Sequence, residues 1–451
     1  MKPIVTLALL FAVVSSTKAA DRPNFVVIMA DDLGYADISC YRSEEGETRN
    51  DYRTPHIDQL AAEGLRLTDY HSNGAVCSPT RAALLTGRYQ QRAGVDGIFN
   101  ASPDANRDDG MAVSEVTFAD VLSAAGYKTA LFGKWHLGYA PKFNPVHQGF
   151  DLFRGYVSGN VDYVSHLDRM GIEDWWHNDQ LQPETGYTTH LITRHTLDFI
   201  RANRDQPFCV YVAHESVHNP FQGPNDPAIR VTVGEEDRTG NRISRPVPDV
   251  YAEMVIEMDK GVGEIVALLR ELQLDRQTLV VFISDNGATR EGNNGSLRGY
   301  KGSLWEGGHR VPGIAWQPGA IPPGESAETV LSMDWFPTLI ELANATWPAG
   351  VTLDGVSLTK LLHERHPLPA RTLFWKYGNQ WAIRRGHLKL VQTKPKVQPE
   401  LFDLRADLSE RRNIAGEHAD LARELEEEYG AWSAGILLDR EGQDVPSSTE
   451  N

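Results

Sequence analysis

Four continuous apolar runs, rich in β-branched and aromatic residues, recur along the chain, and each stops abruptly at polar residues. Phe25-Val26-Val27-Ile28-Met29 leads into Asp31-Asp32, and Thr129-Ala130-Leu131-Phe132 leads into Gly133-Lys134-Trp135-His136. Phe208-Cys209-Val210-Tyr211-Val212 leads into His214 and His218, and Leu279-Val280-Val281-Phe282-Ile283 leads into Asp285-Asn286. Unbroken apolar runs suit strands buried on both faces, as in a parallel sheet covered by helices. Helical periodicity falls between them, over Ile57 to Gly64, Thr117 to Ala125, His190 to Asn203 and Tyr251 to Leu272. The pattern predicts an α/β protein with a large, mostly parallel sheet sandwiched by helices. In such sheets ligands bind outside the carboxyl ends of the strands. Any one polar terminus could simply solvate a strand end. Four together, three of them carrying carboxylate or imidazole, predict a shared site.

After about His366 the character changes. Phe374-Trp375-Lys376-Tyr377, Trp381-Ala382-Ile383-Arg384 and Lys389-Leu390-Val391 alternate like antiparallel strands, followed by Glu400-Leu401-Phe402-Asp403 and a charged helix near Leu421 to Trp432. A length of 451 residues exceeds one ordinary core. The expected division is a catalytic domain over 20–366 and a smaller C-terminal subdomain over 367–451, frayed from about Glu441. Residues 1–19 read as a secretory signal peptide: Lys2, an apolar stretch from Ile4 to Val14, then small residues up to Ala19 and Ala20. That run is shorter than a spanning helix needs, and no later segment is long and apolar enough, so no membrane anchor is expected after cleavage. The expected location is periplasmic or secreted.

A formal charge of -17 argues against nucleic acid as a partner. It would also repel an anionic substrate unless the site itself were locally positive. Of the three cysteines, Cys40, Cys77 and Cys209, the last sits within a predicted strand and reads as a buried free thiol. Disulfide scaffolding therefore does not account for the fold, and so few cysteines favour a bacterial exported protein over a disulfide-rich lysosomal one.

Cys77 precedes a short helix: Ser78 can cap it, Pro79 suits its first position, and Gly87 can stop it. A helix N-terminus favours an anion, although a lone cysteine there also reads as a small buried hydrophobe. Asp31, Asp32, Asp285 and Asn286 offer only oxygen donors, which suit Ca²⁺ or Mg²⁺ rather than zinc. Lys134 and His136, two apart, share one face of an extended chain. His214-Glu215-Ser216-Val217-His218 matches the H-E-x-x-H pattern of zinc proteases, but that motif requires a helix, and here a β run precedes it and Asn219-Pro220 follows. Gly299 to Pro312 forms a glycine-rich loop that composition alone would allow to be a plain connection.

The segment Cys77-Ser78-Pro79-Thr80-Arg81-Ala82-Ala83-Leu84-Leu85-Thr86-Gly87-Arg88 resembles the signature of the type I, formylglycine-dependent sulfatases of the alkaline-phosphatase-like superfamily. Gly133-Lys134-Trp135-His136-Leu137-Gly138 resembles a second element of that family, and Lys301 with the Glu306-Gly307-Gly308-His309-Arg310-Val311-Pro312 tail a third. Thr54-Pro55-His56-Ile57-Asp58 also matches, with His56 in place of the more usual asparagine. The likeness runs from about Pro23 to Ala415. It implies that Cys77 is oxidised to formylglycine (3-oxoalanine) by a formylglycine-generating or sulfatase-maturing enzyme. It further implies a metal, usually Ca²⁺ and less often Mg²⁺, held by Asp31, Asp32, Asp285 and Asn286 together with the modified Cys77. Catalytic roles fall to Cys77, Arg81, Lys134, His136, His218 and Lys301, with Lys134, His218 and Lys301 also on the sulfate. The histidine followed two residues later by proline makes His218, not His214, the site residue.

The expected activity is hydrolysis of sulfate monoesters. A hydrated formylglycine carries two hydroxyls on one carbon, so one can attack sulfur while the other later expels sulfate and restores the aldehyde. Three carboxylates against a divalent ion, Arg81, Lys134 and Lys301 sum to about +2 with neutral histidines, which makes the site attractive to sulfate inside an acidic chain. Trp175-Trp176-His177 with His166, and the polar stretch from Asn219 to Pro248 with Arg230, Arg238, Arg242 and Arg245, suit a sulfated sugar, with Trp175 and Trp176 as substrate contacts. Two rivals remain: a phosphate or phosphonate monoester hydrolase of the same superfamily, and a non-catalytic glycan-binding relative.

Overall fold

The computed structural model describes residues 22–42, 52–100, 108–233, 245–347 and 349–443, with side chains of the last helix as far as Ile436. The expected signal peptide, Arg238 and Arg242 lie outside the described residues. The four apolar runs become the strands Asn24–Ala30, Lys128–Lys134, Phe208–Ala213 and Thr278–Ser284. They lie side by side in a ten-stranded sheet. Asn24–Ala30 runs parallel to Phe208–Ala213 on one flank and to Thr278–Ser284 on the other, and Lys128–Lys134 runs parallel to Phe208–Ala213. All four therefore end on the same edge.

Alternate residues of these strands feed two different cores, which is why the runs are apolar throughout. Val27, Met29, Tyr211 and Val281 pack on one face with Leu84, Leu85 and Phe118, and Trp335 and Leu339 join them there. Val26, Ile28, Val210 and Phe282 pack on the other with Leu191, Met254 and Val262. The covering helices are Pro55–Glu63, Phe118–Ala124, Thr188–Ala202 and Val247–Glu271, each within a few residues of its predicted span. Thr117 and Asp120 close the second of them with a reciprocal capping box. The sheet turns antiparallel at both sides: Gly313–Trp316 pairs antiparallel with both Thr278–Ser284 and the short strand Leu65–Leu67, and at the other flank Leu152–Tyr156 pairs antiparallel with Trp176–His177.

The C-terminal region forms a separate antiparallel sheet of four strands, Thr372–Tyr377, Gln380–Arg385, Leu388–Gln392 and Glu400–Asp403, covered by the helix Ala419–Gln443. Glu441 to Gln443 are helical, and the remainder of the expected frayed end lies outside the described residues. This sheet does not own its core. Trp375, Ile383, Leu390 and Phe402 pack with Ala83, Leu304 and Met333 of the main body. A buried ionic network reinforces the seam. Arg384 Nη2 donates to Asp69 at 2.6 Å, and Lys389 Nζ lies 2.9 Å from both Glu306 and Glu410. The seam thus grips Glu306, in the middle of the glycine-rich loop. Among the described residues no helix is long and apolar enough to cross a membrane, and all three cysteines are free, with Cys77 and Cys209 buried.

Candidate active site

Cys77 opens the helix Cys77–Thr86, and the residue that caps it is Val76, not Ser78. The Ser78 hydroxyl instead accepts from the amide of Phe99. Gly87 ends the helix as expected, in a left-handed conformation (φ 67°) with its N–H on the Ala83 carbonyl. Every residue of the helix is buried, so Cys77 is held at the bottom of a cavity.

The strand ends converge on it. Cys77 Sγ lies 3.4 Å from Asp31 Oδ1 and 3.5 Å from Lys301 Nζ. Each carboxylate has a cationic partner: Asp31 with Lys134 at 2.5 Å, Asp32 with Lys301 at 2.6 Å, and Asp285 with Arg81 at 2.8 Å. Arg81 also donates to the Lys134 carbonyl and the Tyr211 hydroxyl, which fixes its plane. Asn286 Nδ2 donates to Asp32 Oδ1 at 2.8 Å. Asp32 and His136 hold left-handed backbone (φ 61° and 57°), a conformation that costs energy in residues with a Cβ and is common where a side chain must be aimed. At Gly133, φ is 104° and a Cβ would sit 2.0 Å from the Ala213 carbonyl oxygen, so only glycine lets the chain reach Lys134 in this register.

Burial penalises ionisation at Asp32, but Lys301 and then His218 outweigh it and hold that carboxyl well below the usual range. Asp285 goes the other way: burial, then the charge of Asp31, raises it to about 6 despite Arg81. Burial and the nearby Asp31 carboxylate push the Cys77 thiol up to about 12. As encoded, Cys77 is a neutral thiol at physiological pH and a poor nucleophile.

The two histidines differ in their tautomers. His136 Nε2 lies 2.8 Å from the Phe99 carbonyl, which can only accept, so Nε2 carries the proton and the buried Nδ1, with no partner among the described residues, is left as a base. His218 Nδ1 donates to the Asn219 carbonyl, which turns Nε2 toward Asp32 at 3.6 Å. Burial, then Lys301, lowers His218 to about 3.

Asp31, Asp32, Cys77 and His218 bring ligand atoms within 4.8 Å of one another. Asn286 Oδ1 is buried beside them with no hydrogen-bond partner among the described residues, an unmet acceptor of the kind a cation satisfies. The oxygen-rich donor set fits a hard divalent ion. The H-E-x-x-H segment is not helical. His214 stands outside the cluster, Glu215 Oε1 accepts from the Val161 amide, and neither forms a zinc site with His218. Amides and carbonyls of this loop lock it to Asp31: Asp31 N donates to Ser216 O and Val217 N to Asp31 O.

Above Cys77 opens a cavity of about 570 Å³ lined by His136, His218 and Lys301. Neither Trp175 nor Trp176 lines it, contrary to the sequence expectation. Trp175 is buried, stacked on His166 at 4.5 Å with its indole N–H on Glu184. Trp176 donates to Asp174 from a short edge strand. They shape the loop behind the cavity, where large apolar side chains bury their surface. Arg230 does reach the cavity, whereas Arg245 is tied up by Asp226 and Glu253. Asn160, Arg169 and Tyr377 also line it. Nothing in the local sequence marks them, because loops far apart in the chain bring them there.

A family model described as Sulfatase matches residues 23–345. Arylsulfatase A of Homo sapiens is 34% identical over 424 residues, an alignment covering 85% of this chain and 77% of that protein. N-acetylgalactosamine-6-sulfatase of Sus scrofa is 33% identical over 387 residues, covering 80% and 70%. Among solved structures, Ps i-CgsB in complex with k-i-k-neocarrahexaose superposes with a TM-score of 0.79 at 28% identity, covering 91% of this chain and 93% of that one.

Proposed function

Since the chain belongs to the formylglycine-dependent sulfatase family of the alkaline-phosphatase-like superfamily and is a sulfuric ester hydrolase, we propose that it removes sulfate from a sulfated carbohydrate at the cavity above Cys77. The observation that carries this reading is the meeting of Cys77 with Asp31 and Lys301 within 3.5 Å at the carboxyl ends of the parallel strands.

Formylglycine at Cys77 supplies a hydrated aldehyde, one hydroxyl to attack sulfur and a second to release sulfate afterwards. A divalent ion, Ca²⁺ in our reading, would supply positive charge beside the sulfate and the attacking hydroxyl. Asp31, Asp32, Asp285 and Asn286, with modified Cys77, would hold it. Arg81 and Lys134 fix the hydrate from the buried side. His136 Nδ1, unprotonated and without a partner among the described residues, takes the proton of the second hydroxyl. Lys301 and His218 hold the sulfate. For His218 to donate to the leaving alcohol its Nε2 must be protonated, and an arriving sulfate anion favours that state by adding negative charge beside the ring.

The polar, open cavity supports a sugar over a flat apolar alcohol, as do a relative named for N-acetylgalactosamine 6-sulfate and a neighbour seen with a neocarrahexaose. We assign residues 20–366 to the catalytic unit and 367–451 to the docked subdomain, and expect export through the N-terminal segment and a maturing enzyme as partner. Turnover of an aryl sulfate against the matching aryl phosphate tests the reaction class. Sulfate ester should be hydrolysed far faster, and the reverse preference would overturn the assignment.

A further inference from the structure

A sulfate monoester carries one negative charge, and Lys301 already holds it with His218, in front of Lys134 and Arg81 at the base of the cavity. Two further cations face the same space. Arg230 and Arg169 both line the cavity, and no aspartate or glutamate does so among the described residues. In a chain of net charge -17, that surplus is not explained by one sulfate.

Arg230 is held in place by neutral groups. Its Nη1 donates to the carbonyls of Asn160 and Leu167 at 3.2 and 3.0 Å, and its Nη2 to Asn160 Oδ1 at 2.5 Å. Among the described residues no carboxylate forms an ion pair with it, although Glu215, Asp162 and Asp168 are near enough to act on its charge. Asp162 uses its oxygens on the amides of Val164, Ser165, Ile229 and Arg230, and so fixes the backbone that carries the guanidinium. Asp168 Oδ1 is engaged by the amides of Met170 and Ile172, and Glu215 by that of Val161. Among the described residues nothing engages the Nε–H of Arg230 or its second Nη2–H. Arg169 is exposed at the rim. Asn160, which anchors Arg230, lines the same cavity as His218.

We propose that Arg230 and Arg169 form a subsite for a second anionic group of the substrate, beside the sulfate that is cleaved, so that the preferred substrate is a glycan carrying a further sulfate or a carboxylate next to the scissile ester. This rests on the sulfatase reading above and narrows it. A planar guanidinium fixed by backbone carbonyls presents two parallel N–H groups, a good match to either anion.

The test compares kcat/KM for two matched pairs. One is a 2-N,6-O-disulfated hexosamine against its 6-O-sulfated N-acetyl counterpart. The other is a 6-O-sulfated hexosamine linked to a hexuronate against the same sugar linked to a neutral hexose. The wild type should prefer the more anionic member of at least one pair by about tenfold, the scale of one charge-assisted hydrogen bond in a partly buried site. The pair that shows it identifies sulfate or carboxylate as the group held. Arg230→Gln and Arg169→Gln should each reduce that ratio toward unity, and Arg230→Lys should restore part of it. Arg169 is exposed, so its variant keeps the test sound if Arg230→Gln fails to fold. A wild type without preference in either pair, or a preference surviving both glutamine variants, would overturn the subsite. No sulfate release from any probe, a simple aryl sulfate included, would strike the sulfatase reading instead. Calorimetric binding of the disulfated hexosamine to wild type and Arg169→Gln would then decide the subsite by itself, weaker binding to the variant supporting it and equal binding refuting it.

Discussion

Lys301 Nζ lies 3.5 Å from Cys77 Sγ although 224 positions separate them in the chain. The lysine is also 2.6 Å from Asp32, so one ammonium spans the nucleophile position and the oxygen cluster. Lys301→Ala should lower kcat/KM for sulfate esters by about a hundredfold, the usual scale for removing one preorganised charge from a reacting anion. Steady-state kinetics with an aryl sulfate checks this, and unchanged kcat/KM would remove Lys301 from the sulfate site.

The oxygen cluster should bind a divalent ion. Chelation should abolish turnover, and adding back Ca²⁺ should restore it. The ion should also raise the melting temperature, since a ligand at a hundred times its Kd adds about 2.7 kcal/mol to stability. Asp285→Asn and Asn286→Ala should lose most of that thermal shift. An unchanged shift in both would place the ion elsewhere.

Much of this site was legible in the sequence because its parts end strands buried on both faces. The run Phe25 to Met29 could be nothing else once it stopped at two aspartates, and parallel pairing then carried Lys134, His218 and Asp285 to the same edge. Local chemistry misled at Ser78, where the capping rule was satisfied by residue type but the helix begins two residues before Pro79, at Cys77. Trp175 looked like a sugar platform because its burial depends on Tyr156 and His166, partners that sequence proximity does not reveal. The short strand Leu65–Leu67 left no readable period, since three residues are too few to show one.

The ionic seam should be sensitive to loss of its single lysine. Lys389 is fully buried between Glu306 and Glu410. Lys389→Met would leave Glu306 with Arg310, 3.4 Å away, as its remaining ion-pair partner and take the cation from Glu410, and should cost about 3 kcal/mol. Chemical denaturation measures this. A loss below 1 kcal/mol would mean that the seam contributes little to stability.

Glu410 gives the seam a pH dependence. Burial raises its carboxyl to about 7 against the opposing charge of Lys389. The folded state therefore holds a proton that the unfolded chain, with an ordinary glutamate, releases near pH 4.5. This contribution is present in full below that pH and fades as pH climbs through 7. Glu410→Gln, permanently neutral, should gain stability relative to wild type between pH 5 and pH 8, as read from the difference in melting temperature. A difference that stays flat across that interval would show that Glu410 does not titrate there.

The central claim is that Cys77 is the precursor of the nucleophile and not the nucleophile itself. Burial and Asp31 keep its thiol protonated at neutral pH, which suits a residue that must be converted before it can act. Mass spectrometry of the peptide containing Cys77, taken from preparations of differing activity, measures the conversion directly. The account predicts the lighter aldehyde form in a fraction that rises in proportion to specific activity. Fully active protein carrying only the unmodified thiol would contradict it.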